Sequence, residues 1–487
     1  MSDQETLDPQ DWQAFYEFAH NALDDVLYTL ETVRERPVWQ PVPADVLAAL
    51  DEPVPHEGQG IESVYRDFTR NVLPYPYGNI HPRFWGWVNG TGSPLGVVAD
   101  FLASGMNSNI GSFDQAGTRV EERVIGWLKE LLGLPAEATG LLVSGGSVAN
   151  LVGLTVARND RAGWDVRREG IAAGPRLTVY ASDTVHSSVQ KAVELLGLGA
   201  EALRRVPARA DHRMDLPRIA ERIERDRAAG LRPVALVATA GTIDAGAIDP
   251  LDEAADLAAE LGIWLHVDGA IGALGVLSEK LRPRLAGIGR ADSVALDLHK
   301  WLHAPFEAGC VLVRSGAKHR AAFHLTPPYL APLPGSVSGA GFDFKDHGVQ
   351  LSRRFNALKV WMSIKAEGVD KLGRLIDQNV AQAAHLVRRI EAEPELELLA
   401  PAPLNIVCFR YRGADAGLDG DAQEARLGAL NRAILTQLHR SGVAVPNSTL
   451  IDGRFAIRVA ITNHRSRLED FDLLVDTVLE LGRAEPA

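Results

Sequence analysis

Cysteine is nearly absent from this chain: 487 residues carry two, Cys310 and Cys408. Both stand in apolar runs, GCVLV and IVCFR, so no cysteine zinc site can be assembled and the expectation is two buried thiols in a reducing compartment. An excess of positive charge is absent too. Lys and Arg number 50 against 63 Asp and Glu, a net charge of −13, which supplies no broad cationic face for a phosphate backbone, so no nucleic-acid partner is expected. Long apolar runs are also missing. The most apolar stretch, IWLHVDGAIGALGVL, is interrupted by His266 and Asp268, and MSDQETLDPQ has neither the basic nor the apolar part of a secretory leader, so a cytoplasmic protein without membrane contact is expected. A P-loop, a three-glycine dinucleotide fingerprint, HExxH and GxSxG are absent, which removes the usual sequence support for several large enzyme classes.

What is present describes a globular chain: 46% hydrophobic and 23% charged residues, with 45 Gly and 27 Pro. It is too long for one ordinary core, so a large domain with smaller companions is expected. Trp12, Phe15, Ala19, Ala22, Val26, Leu30 and Val33 recur every three or four residues, which makes an amphipathic helix that needs something to pack on. PVWQPVP then reads as an extended connector before a helical piece at Ala44 to Leu50. Residues 1–80 are therefore an arm. From 81 to 354 short β-rich runs alternate with helical ones; the strands expected are Leu141 to Val143, Thr178 to Ala181, Val234 to Thr239, Ile263 to Val267, Ser293 to Leu296 and Cys310 to Val313. That alternation argues for an α/β domain with a mainly parallel sheet, whose ligands sit at the carboxyl ends of the strands. Pro327 to Phe344, rich in Pro, Gly and Ser, reads as a long loop near a site. Residues 355–487 read as a small C-terminal α+β domain.

The residues that could carry chemistry are dispersed. Asp268 follows the apolar strand IWLHV, where an unpartnered carboxylate is costly. Lys300 follows SVALDLH and precedes Trp301 and Leu302, and a desolvated lysine amine can form a Schiff base. Taken singly, each also fits a strand-end residue in an ion pair. Ser144-Gly145-Gly146-Ser147 lies between the strand LLV and the helical run VANLVGLTVA, which would offer free N–H groups to a phosphate. His186 follows the strand TVYAS; it could stack on a flat ring, or belong to a helix cap with Ser182 or Asp183 as the capping residue. Phosphate cradle, ring stacker, carboxylate and lysine together describe what pyridoxal phosphate needs.

SGGSVAN, SDTVHSSVQKA, VATAGT, WLHVDGA and DLHKWL, with HPRFWGW before them and RFNALKVW after, occur in an order and spacing that resembles the group II pyridoxal-phosphate decarboxylases, the family of aromatic amino acid, glutamate and cysteine-sulfinate decarboxylases. The resemblance spans nearly the whole chain. It implies fold type I: a large, mostly parallel seven-stranded domain that binds the cofactor, a helical arm that embraces a second subunit, and a site at the interface of a homodimer. It also implies roles. Lys300 resembles the lysine that holds the cofactor aldehyde, and Asp268 the partner of the pyridine nitrogen. His186 resembles the stacking histidine with Ala270 on the opposite ring face, while Gly146, Ser147, His299 and Thr242 match cofactor-side positions. Tyr329 resembles the loop tyrosine that returns a proton to the substrate carbon after carbon dioxide leaves, where related aldehyde synthases tend to have phenylalanine. Arg458 matches an arginine that contacts a substrate carboxylate in glutamate decarboxylases.

The implied activity is decarboxylation of an L-amino acid to its amine, with an oxygen-dependent decarboxylating deaminase on the same scaffold as the alternative. Departures from the family pattern concern the substrate more than the cofactor. Ile243 stands where a second threonine is common, Val148 where glutamate is common, and Asp297 where asparagine is frequent. Asn107 and Asn109 look like the polar pocket segment of glutamate decarboxylases, whereas Trp85, Trp87 and Val88 resemble an aromatic-binding wall. The two tryptophans are expected at alternating strand positions, where core packing is an equal reading.

Overall fold

The central apolar runs become strands because they are buried on both faces, and the helices between them supply the cover. The computed structural model describes residues 5–325, 327–330, 333–338, 341–413 and 420–484. In chain order the described strands are β1 (Phe84–Trp85), β2 (Thr139–Val143), β3 (Leu177–Ser182), β4 (Leu203–Val206), β5 (Arg232–Thr239), β6 (Trp264–Asp268), β7 (Ser293–Asp297), β8 (Gly309–Val313), β9 (Leu396–Leu398), β10 (Ile406–Tyr411), β11 (Val445–Ile451) and β12 (Arg454–Ala460).

The large sheet has seven strands in the order β2-β8-β7-β6-β5-β3-β4. The pairs from β7 to β4 are parallel, and β8 runs antiparallel to both of its neighbours. Every residue of β3, β6, β7 and β8 is buried, as a parallel sheet covered on both faces requires. The expected strands are all present. The edge strand β4 escapes the sequence pattern because LRRV sets two arginines in the middle of four residues. A buried ion pair, Arg353 Nη2 to Glu121 Oε1 at 2.5 Å, braces β2 from behind, and the Glu121 oxygen also accepts the Leu142 N–H at 3.1 Å.

The smaller sheet runs β1-β11-β12-β10-β9, with its own core under the helices Val369–Glu391, Gly420–Arg440 and Leu468–Ala484. β1 pairs in parallel with β11, so a segment far ahead in sequence completes this sheet. One expectation is corrected here. Trp85 and Trp87 do not alternate along a strand: β1 ends at Trp85, and Trp87 has φ 53°. Trp85 is buried, stacks on Phe471 with ring centroids 4.7 Å apart, and donates to Ser466 Oγ at 3.2 Å; Trp87 is 49% exposed.

The arm opens with the helix Trp12–Glu31, capped by Asp11, whose carboxylate accepts from the N–H groups of Gln13 and Ala14. No residue of this helix is buried. Arg34, just beyond it, fastens the arm to the small domain through Asp470 at 2.8 Å and the Arg465 carbonyl at 2.7 Å.

Candidate active site

The carboxyl ends of β3, β5, β6 and β7 and the turn after β2 enclose a cavity of about 420 Å³. Parallel strands leave a crevice at this edge, and the sequence fills it with polar residues. β2 stops at Val143, and the helix Gly146–Arg161 starts after Ser144 and Gly145 with no side chain capping its N-terminus. Its first N–H groups have no acceptor within the helix and open on the cavity. Gly146 sits in close approach: a Cβ there would lie 3.1 Å from Asp297 Oδ2 and 3.2 Å from the Ala270 methyl.

β7 delivers the lysine. Beyond Asp297 the chain turns, and Lys300 Nζ comes back to Asp297 Oδ2 at 2.8 Å. Asp297 Oδ1 is buried and has no partner among the described residues. His299 Nδ1 accepts the Ala308 N–H at 3.3 Å, so the proton of a neutral ring sits on Nε2, 3.7 Å from Asp297 Oδ2. Burial pushes the His299 imidazole down to about 4, against the attraction of Asp297. Phe306 packs against it with ring centroids 4.4 Å apart.

Asp268 ends β6 and is buried. Its Oδ1 accepts the Ala270 N–H at 3.2 Å, and its Oδ2 accepts from Asn150 Nδ2 at 2.9 Å. His186 faces the same cavity. The capping expectation is corrected: neither Ser182 nor Asp183 caps the helix Ser187–Leu195. His186 itself does, its Nδ1 accepting the Ser188 N–H at 3.2 Å. An imidazole nitrogen can take the place of a side-chain oxygen at a cap, so capping and facing the cavity are compatible.

Val88, Gly146, Ser147, His186, Asp268, Ala270, His299 and Lys300 thus meet at one cavity. Five expected residues do not join its wall. Thr242 is buried in the turn before Ala247, whose N–H its hydroxyl accepts at 3.0 Å, and its neighbours Gly241 and Ile243 line the cavity instead. Arg458 is buried behind the wall, donating to the carbonyls of Ile243 at 2.7 Å and Trp87 at 2.8 Å; its Nη2 has no partner among the described residues. Trp87 lies outside the wall. Asn107 closes the helix Pro94–Met106 with φ 45° and is exposed. Tyr329 sits in the turn Pro328–Leu330, 78% exposed. Sequence reasoning passed over Asn150, which stands in the cavity wall. Its signal was a lone amide inside the apolar run VANLVGL.

These residues fit pyridoxal phosphate. The uncapped helix end matches a phosphate, and the lysine amine matches an aldehyde. Asp268 suits a protonated ring nitrogen, and the imidazole suits a ring face. Known proteins agree in kind. A family model described as "Pyridoxal-dependent decarboxylase conserved domain" matches residues 43–412. The aromatic-L-amino-acid decarboxylase of Bacillus atrophaeus is 34% identical over 457 residues, which cover 93% of this chain and 92% of that protein. The L-2,4-diaminobutyrate decarboxylase of Rhizobium meliloti (strain 1021) is 34% identical over 434 residues, 89% and 84% of the two chains. Among solved structures, Oryza sativa TDC with PLP and tryptamine superposes with a TM-score of 0.90 at 29% identity, covering 98% of this chain and 99% of that one.

Proposed function

The chain belongs to the pyridoxal-dependent decarboxylase family, and within it we propose an enzyme that takes an aromatic L-amino acid and works as a homodimer. Release of carbon dioxide from an L-amino acid, leaving the amine, is the reaction of this carboxy-lyase. When bound, pyridoxal phosphate supplies the electron-withdrawing ring that accepts the electron pair left on Cα as the bond to the carboxylate breaks.

The chain's own residues do the rest. Lys300 would hold the aldehyde carbon, and Asp297 Oδ2, 2.8 Å from Nζ, would keep that side chain at the cavity. The open N–H groups of Gly146 and Ser147 would bind the phosphate with His299 beside them. Asp268 would keep the ring nitrogen protonated, and His186 and Ala270 would cover the two ring faces. Tyr329 would return the proton to Cα, arriving from the second subunit, since in a single chain it stands in solvent and outside the cavity wall.

The observation that carries the aromatic reading is an apolar part of the cavity wall, formed by Val88, Ile243 and Ile271, which suits a flat apolar side chain. The identity with the Bacillus atrophaeus protein supports the same class. The dimer is supported by the arm, whose Trp12, Tyr16 and Tyr28 are exposed while the rest of its apolar stripe is only half-buried. A cytoplasmic setting is supported by the free, buried Cys310 and Cys408. No described helix is long and apolar enough to cross a membrane. The test is product identification by mass spectrometry after incubating the loaded enzyme in air with separate aromatic, acidic and diamino L-amino acids. An amine with carbon dioxide, formed fastest from the aromatic group, is expected. Preference for the diamino or acidic group would overturn the substrate assignment, and an aldehyde with peroxide would replace simple decarboxylation by the oxygen-dependent reaction.

A further inference from the structure

From behind the cavity wall into its lining runs a chain of hydrogen bonds that none of the roles above uses. Trp264 Nε1 donates to Ser293 Oγ at 2.8 Å, and that oxygen lies 2.7 Å from His266 Nδ1. His266 Nε2 lies 2.8 Å from Asn150 Oδ1. Asn150 Nδ2 donates to Asp268 Oδ2 and to Ser188 Oγ, both at 2.9 Å. Ser188 Oγ lies 2.8 Å from His186 Nδ1. Trp264, Ser293, His266, Asn150 and Ser188 are all buried, and of these Asn150 and Ser188 reach the cavity lining. Gly153, one turn beyond Asn150, leaves the room for this approach: a Cβ there would lie 2.7 Å from His266 Nδ1.

The direction of the chain is determined at its ends, because the Trp264 indole N–H can only donate and the Asp268 carboxylate can only accept. An indole N–H cannot accept, so the Ser293 hydroxyl hydrogen is left for His266 Nδ1. The imidazole proton is then on Nε2 and donates to Asn150 Oδ1. This orients the amide, since the flipped form would set Oδ1 against a carboxylate oxygen at 2.9 Å. Ser188 receives one Asn150 N–H and passes its own hydrogen to His186 Nδ1. At the far end the Ser188 backbone N–H also needs that nitrogen as an acceptor. Burial holds the His266 imidazole down at about 4, so the ring is neutral, as this pattern demands.

We propose that Asn150 and His266 are positioning residues for the two groups that face the cofactor ring: one buried amide, oriented by His266, holds Asp268 in place for the ring nitrogen and, through Ser188, fixes His186 in the tautomer with its proton on Nε2. The inference rests on pyridoxal phosphate occupying the cavity and is independent of which amino acid is the substrate.

The experiment uses full-length protein and pyridoxal phosphate without any amino acid. Affinity is read by titrating the visible absorbance of the bound cofactor, and its environment by the pH midpoint of that absorbance. His266→Leu is expected to weaken cofactor binding about tenfold and to move the midpoint by about one pH unit. His266→Gln, whose amide can donate to Asn150 Oδ1, is expected to restore most of both. Ser188→Ala cuts only the branch to His186 and should lower affinity while leaving the midpoint in place. Wild-type affinity and midpoint in folded His266→Leu overturn the proposal, as does a glutamine variant no better than leucine. A loss of thermal stability alone, with both cofactor readouts unchanged, also overturns it. If His266→Leu is insoluble, Asn150→Ser removes the amide donor to Asp268 and carries the same two readouts with the same criterion. Shifted readouts in a protein that makes no amine from aromatic substrates would leave this inference standing and remove the substrate assignment instead.

Discussion

The carboxyl edge of the large sheet and the N-terminal arm stand at opposite ends of self-sufficiency. At the sheet edge, Asp268, Asn150, Ser188 and His186 find their hydrogen-bond partners inside the chain, and β6 and β7 are buried throughout. On the arm, Trp12, Tyr16 and Tyr28 are more than half exposed, and the ring contacts of Trp12 are to Phe15 and Tyr16 of the same helix. A helix with an apolar stripe and no buried residue is stable only when something covers the stripe. The difference teaches that the groups proposed to hold the cofactor find their partners within one chain, whereas the role proposed for Tyr329 would need the proposed second subunit.

The strongest way to break this comparison is at the lysine. Lys300→Ala should lower amine formation by at least about a thousandfold and abolish the mass gain that borohydride reduction gives the loaded enzyme, with no change in elution from a sizing column. The two neighbouring tryptophans set core against surface within three residues. Trp85→Ala opens a cavity beside Phe471 and should cost about 3–5 kcal/mol, whereas Trp87→Ala, which loses only half-exposed contacts to Tyr77 and Phe84, should cost about 1 kcal/mol; denaturant unfolding of both variants measures the contrast.

Acid should act on the sheet edge before it acts on the arm. Burial holds His266 and His299 near 4, below the ordinary 6.5. Between these values the unfolded chain binds protons that the folded one refuses. Stability is therefore full above pH 6.5 and falls as pH drops toward 4, by up to about 3 kcal/mol for each ring. Unfolding curves taken at pH 7 and near pH 4.5 check the sign, and His266→Gln should flatten the slope. On the arm, Trp12→Asp combined with Tyr16→Asp should weaken self-association roughly a hundredfold. Sedimentation would register this, and a variant that stays fully dimeric would take the arm out of the interface.

The sequence by itself determined most of the fold and the cofactor side. Strands such as WLHVD and SVALD are apolar runs that fit only a sheet covered on both faces, and SGGS, DGA and HK mark the turns at its carboxyl edge. Those are local signals, and local backbone chemistry decides them. β11 was illegible because VPNSTLI mixes Pro, Asn and Ser and becomes a strand by lying between β1 and β12. Only the tertiary structure decided that Trp85 is core while Trp87 is surface, that Arg458 is buried against the carbonyls of Ile243 and Trp87, and that Asn150, His266 and Ser188 form one connected path to Asp268 and His186. The physical reason is that a hydrogen bond joins atoms brought within 3 Å by packing, from residues as far apart in sequence as Asn150 and Asp268. Periodicity can report that a residue is buried, but not which partner meets it there.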